Sequence, residues 1–225
     1  MNRILEQLNF YDIFGYLVPG AVALGAALVG VVALYPDVGI DFTSPSLWSA
    51  SGFVVMSYLV GHVVQALAKQ LEPSLKRWRW GGSWPSELYL QRDTPESRPA
   101  FVDSLLCILR DDFDLGPEPH PADAFAICYS YVIQHGIRRR VEVFLGFLGL
   151  SRGMIVASIT AAALLGSASG VHFATGGGHA AWLSLAAALV CLAAVPVFCY
   201  RFFTFSERFA EAVYRDFFVA VKSAE

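Results

Sequence analysis

Charge is what this sequence has little of. Asp, Glu, Lys and Arg make up 16% of its 225 residues, against about 25% in an ordinary soluble domain. The basic residues are also unevenly spread. The stretches "PDVGIDFTSPSL" and "SGVHFATGGGH" contain neither lysine nor arginine, and all sixteen such residues lie at the N-terminus, in 69–152 or from Arg201 onward. Cysteine is scarce as well: Cys107, Cys128, Cys191 and Cys199. No two of them have metal-ligand spacing, which argues against a zinc site or a disulfide framework and leaves packing as their use. A nucleophile elbow, P-loop, HExxH and CxxC are all missing, so no enzyme chemistry, metal or cofactor is expected. Asp111, Asp112 and Asp114 stand near His120 without EF-hand spacing, and are read as a solvated acidic loop. His172 and His179 beside "TGGG" carry no pattern.

What the chain does have is apolar length. It is 56% apolar with a mean hydropathy of +0.51. Four runs, 13–35, 48–68, 153–171 and 180–202, reach the length of about 20 residues that a membrane helix needs. At the N-terminus Arg3 is offset by Glu6 and Asp12, and the following run is long for a signal peptide, so that run is read as retained. The basic-residue asymmetry places both termini and 69–152 on the cytoplasmic side. The expected fold class is an all-α integral membrane protein, with a helical cytoplasmic insert between transmembrane helices 2 and 3. Ile4, Leu8 and Tyr11 suggest an interfacial amphipathic helix over 1–12. Phe202, Phe205, Phe209, Val213 and Phe217 suggest a cytoplasmic amphipathic helix over 203–225. Within 69–152, helices are expected at 98–112 and 121–135, with Pro121 at a first helical position.

Pro19-Gly20 starts or kinks the first span, and proline is tolerated there when neighbours satisfy the freed carbonyl. Ala21/Gly25 and Ala26/Gly30 have the small-residue spacing of close helix packing. Four such spans with one polar stripe do not enclose a water path alone, so a homo-oligomer is expected, a tetramer first.

That stripe is Ser51, Tyr58, His62, Gln65 and Lys69, spaced by seven, four, three and four residues and so on one helical face. A polar stripe on a membrane helix faces protein or water rather than lipid. One reading is a pore lining or gate. The other is interhelical hydrogen bonding near the cytoplasmic boundary, preferred because the stripe lies mainly in the inner half of the span. A second constellation, "KRWRWGGSWP", joins Lys76, Arg77 and Arg79 to Trp78, Trp80 and Trp84. It suits phosphate binding with base stacking and, more directly so near a membrane, the lipid headgroup layer. Arg138, Arg139 and Arg140 carry the same two readings. Arg152 marks the edge of the third span; were it buried, it would need a partner.

The segments "NFYDIFGYLVPG" at 9–20 and "GHVVQALAK" at 61–69, with a soluble insert between helices two and three, resemble small four-helix membrane effectors of bacterial anti-phage systems of the CBASS-like and Hailong-like kinds. The resemblance implies a homo-oligomeric inner-membrane channel in contact with membrane lipids. A cytosolic nucleotide or single-stranded oligonucleotide, supplied by a signal-producing partner protein, would gate it and so depolarise an infected cell. It assigns no functional residue here. The residues alone leave a second class open: a membrane anchor or scaffold whose cytoplasmic module docks a partner protein.

Overall fold

A computed structural model describes residues 12–35, 47–91, 99–116, 119–136 and 139–224. Among them 91% are helical and none is in a strand. The amphipathic helix expected over 1–12 falls outside the described residues except for Asp12, as does Arg138.

A π-helical turn, Asp12–Leu17, runs directly into α1, Val18–Leu34. The remaining helices are α2 (Leu47–Trp80), α3 (Pro85–Tyr89), α4 (Pro99–Phe113), α5 (Pro121–Gln134), α6 (Arg139–Ala174) and α7 (Gly178–Ala224). Among the described residues, four helical segments are long and apolar enough to cross a membrane: Asp12–Leu34, Ser49–Tyr89, Arg139–Ala174 and Gly178–Ser223. The helix starts follow from local chemistry. Proline opens α3, α4 and α5, where its missing N–H would have had no helical partner anyway. The Glu87 carboxylate accepts from the Trp84 backbone N–H at 3.0 Å, which satisfies another donor at that end. The stop of α2 is as local: Gly81 and Gly82 take φ of +63° and +103°, in which a side chain would be strained.

The described chain divides into two compact units. The first takes the residues up to Leu71 together with Gly146–Phe202. In it α1 lays Ala23 against Val64 and Ala68 of α2 and Val156 and Ala157 of α6. One turn further along, Ala26 meets Ala161 and Leu165 of α6, with Ala188 of α7 in the same cluster. Ser169 Oγ, itself buried, donates to the Ala181 carbonyl at 2.9 Å and ties α6 to α7. Half of the most apolar window of α6 is buried, against 6% of that of α7, so α6 is the inner helix of this unit and α7 presents its apolar face outward.

The second unit, Glu72–Leu145 with Phe203 onward, has a core of larger side chains. Val102, Leu105 and Leu109 of α4, Ala124, Cys128 and Val132 of α5, and Val213, Phe217 and Val221 of α7 repeat at steps of three and four and are buried together. Tyr214 stacks on Tyr89 with centroids 5.3 Å apart, and its hydroxyl donates to the Ser86 carbonyl at 2.8 Å. Burying Tyr214 and Phe217 contributes about 1.5–3 kcal/mol each.

Two cysteines of this unit report on its core. Cys128 is fully buried, and burial pushes its thiol up. Cys107 is exposed; its Sγ donates to Asp111 Oδ2 at 3.1 Å, and this carboxylate raises the thiol. A maleimide added to the folded protein is expected to modify Cys107 slowly and to spare Cys128 until denaturant is present, as read by peptide mass spectrometry. Equal labelling of both thiols under native conditions would contradict the packed core.

Candidate functional site

The most constrained polar group in the first unit is the Gln65 side chain. Pro19 has no N–H to offer the Gly15 carbonyl four residues back. Gln65 Nε2 donates to that carbonyl and, at 2.7 Å, to the carbonyl of Gly149 on α6. Its Oε1 accepts from Arg152 Nε at 3.1 Å and Nη2 at 2.9 Å. Both amide donors and the amide oxygen are thus engaged, and the carbonyls on one side and the guanidinium on the other fix which way the amide faces. Gln65 is 5% exposed.

Glycines make room for this node. A Cβ on Gly153 would lie 2.6 Å from Gln65 Nε2 and 2.8 Å from Pro19 Cγ. A Cβ on Gly20 would run into the Ser57 carbonyl oxygen and come within 2.8 Å of Gly61 Cα. A Cβ on Gly61 would run into the Tyr16 carbonyl. The π-helical turn and the start of α1 therefore meet α2 backbone against backbone, while α6 closes at Gly153 on the side chains of Gln65 and Pro19. The small-residue spacing singled out other positions. Gly25 has nothing within 4 Å of a would-be Cβ, and at Gly30 the nearest atom, Leu164 Cβ, is at an ordinary 3.9 Å.

The remaining members of the α2 stripe are distributed around this node. Tyr58 is half-buried, whereas Ser51, His62 and Lys69 are exposed. The His62 ring lies 4.2 Å from that of Tyr16 and 4.7 Å, edge-on, from that of Tyr58. The stripe thus follows the edge of the buried face of α2, with only Gln65 turned fully inward. Arg152 is not at the end of a helix: α6 runs through it from Arg139 to Ala174, and its guanidinium is held by Gln65.

In the second unit the basic-aromatic residues meet acids that sequence reasoning did not pair with them. Lys76 Nζ is 3.9 Å from Glu87 and 5.1 Å from the centroid of the Trp84 ring. Arg79 is 3.6 Å from Glu207, and Trp80 Nε1 donates to the same carboxylate at 3.2 Å. Arg140 is 3.7 Å from Asp216 and lies over the Phe144 ring. Arg77 and Arg139 are exposed and have no ion-pair partner among the described residues. Trp78 is 74% exposed, with the Phe203 ring against it at 5.6 Å.

No family model, curated protein or solved structure matches this chain. What the node can do is set by its own groups. It holds three helical segments together through one amide, whose oxygen also accepts from the half-buried Arg152 guanidinium. The Gln65–Arg152 pairing had one signal in the sequence, an arginine within an apolar run opposite a glutamine in another. The carbonyl partners had none, because backbone oxygens carry no sequence label.

Proposed function

We propose that the chain is a multi-pass protein of the bacterial inner membrane, with both termini and 69–152 in the cytoplasm. In this reading it acts as a homo-oligomeric ion channel, a tetramer first, opened by a phosphate-bearing cytosolic signal such as a nucleotide or oligonucleotide. Its biological setting would be anti-phage defence by membrane depolarisation, with a signal-producing partner protein upstream. The observation that carries the reading is the Gln65–Arg152 node, a buried amide that holds a half-buried guanidinium. A passive anchor has no use for a guanidinium among apolar helices, and ionisable groups in such segments mark ion or substrate paths. Gln65 acts here by holding the helix junction, while His62, Tyr58, Ser51 and Lys69 supply the polar surface beside it. Arg77, Arg139 and the exposed half of Arg140 offer charge to the phosphate.

One observation favours the second class, an anchor whose module docks a partner protein. Trp78 is a large aromatic left in the open, and exposed tryptophans are frequent anchors of protein interfaces. Reconstitution separates the two. Proteoliposomes carrying the wild type are expected to pass current, and His62→Leu is expected to change flux or gating severalfold at matched density while the oligomer stays assembled. No current from the wild type, with cyclic and linear oligonucleotides supplied and in anionic lipid, would leave the anchor as the reading.

A further inference from the structure

Among the described carboxylates of the second unit, Asp216 has a buried oxygen left without a hydrogen bond. Its side chain is 15% exposed, and its Oδ2 is buried with no hydrogen-bond partner among the described residues. Its Oδ1 faces a single cation, Arg140 Nη1, at 3.7 Å. That lies beyond the roughly 2.7–3.2 Å of a hydrogen bond, so the contact is Coulombic alone. Loss of water holds the carboxyl above its usual range, with Arg140 working in the opposite direction. Arg140 is placed differently. Its side chain is 54% exposed, its guanidinium lies 5.8 Å from the centroid of the Phe144 ring, and it follows Arg139 at the start of α6. One arginine therefore has one side on a buried carboxylate and the other in solvent.

We propose that Asp216 is a built-in competitor for Arg140, so that a phosphate group, on a soluble ligand or on a lipid headgroup, engages Arg140 only by drawing it away from that carboxylate. This rests on the reading above that Arg139 and Arg140 contribute to an anionic site. Phosphate offers the guanidinium two parallel charge-assisted hydrogen bonds, where Asp216 offers one loose contact. Against that gain stands Asp216 left desolvated with neither oxygen paired, which is costly. The competition lowers the affinity of the resting protein and couples phosphate binding to a looser attachment of α6 to α7 inside this unit.

The test uses the full chain in nanodiscs and needs no current. Pyrophosphate binding is measured by calorimetry in phosphatidylcholine discs, and again in discs that also contain phosphatidylglycerol. Asp216→Asn and Asp216→Leu, which remove the charge with and without a polar group, are each expected to tighten binding by about two- to fivefold, the weight of one partly exposed ion pair. Arg140→Ala is expected to weaken it and to abolish the gain from the second change. Weaker pyrophosphate binding in the phosphatidylglycerol discs, more so for the Asp216 variants, would assign the site to a headgroup; an unchanged affinity would assign it to a soluble phosphate. Anion binding that is indifferent to both Asp216 variants overturns the competition alone. Absence of binding by the wild type and all variants, in both kinds of disc, removes the anionic-site reading and the competition with it.

Discussion

Replacing Gln65 with leucine is expected to destabilise the first unit by about 2–4 kcal/mol, although leucine is the better residue for an apolar helix by every measure of hydropathy. The loss comes from what remains behind. The Gly15 carbonyl loses the donor that stands in for the N–H missing from Pro19, and Arg152 loses the two hydrogen bonds it gives to the amide oxygen. A buried polar group left unpaired costs about 1–3 kcal/mol and a charge more, with the half-exposure of Arg152 holding the total below that of a fully buried pair. Gln65→Glu keeps an acceptor for Arg152 but turns a carboxylate oxygen toward two carbonyls, so it should fall in between. Arg152→Leu and Gln65→Leu should cost less together than the sum of the two, since they share one interaction. Denaturant titration in mixed micelles reads all three. A Gln65→Leu protein within about 0.5 kcal/mol of the wild type, the range of an ordinary surface change, would mean that the amide does not hold the junction.

The second large effect is expected at the glycines. Gly61→Ala drives a methyl group into the Tyr16 carbonyl, and Gly20→Ala drives one into the Ser57 carbonyl. In both cases the obstacle is backbone, so no rotamer change relieves it and the helices must separate. Overpacking of this kind costs about 1–3 kcal/mol, and each substitution should sit at the upper end. The two should not add, because both open the same crossing. Gly25→Ala is the control: it meets nothing within 4 Å and should be neutral or stabilise by up to about 1 kcal/mol, as alanine does inside a helix. Thermal unfolding of the three variants in one detergent decides the matter. Equal midpoints for Gly61→Ala and Gly25→Ala would remove the backbone contact from the account.

Residues differ in how far the sequence exposes their role. The four long apolar helices were legible, because chain composition alone sets whether 20 residues can sit in hydrocarbon. Pro121 was legible as a helix start, because its constraint acts on its own backbone. Within α4, Phe101, Leu105 and Leu109 stand four residues apart, a spacing that puts them on one helical face, and Leu105 and Leu109 are fully buried. Gln65 was legible only as a polar residue on a crowded face. Whether it lined water, faced lipid or bound another helix depended on Gly15 and Gly149, fifty and eighty-four positions away. The basic-aromatic segment read as an open cationic patch, since the acids that pair with it, Glu87 and Glu207, lie eleven residues beyond Lys76 and 128 beyond Arg79.

The sequence by itself therefore determined what each stretch can do locally: which segments are helical, where they begin, and which are apolar enough for a bilayer. These properties are sums over neighbouring residues and need no knowledge of the rest of the chain. Only the tertiary structure decided which glycines carry a helix crossing, which carbonyl Gln65 serves, and which cation Asp216 holds. Those are contacts between atoms far apart in sequence, with interaction ranges of a few ångströms. A shift of one helical turn, about 5.4 Å, would exchange every partner while leaving composition, periodicity and hydropathy unchanged.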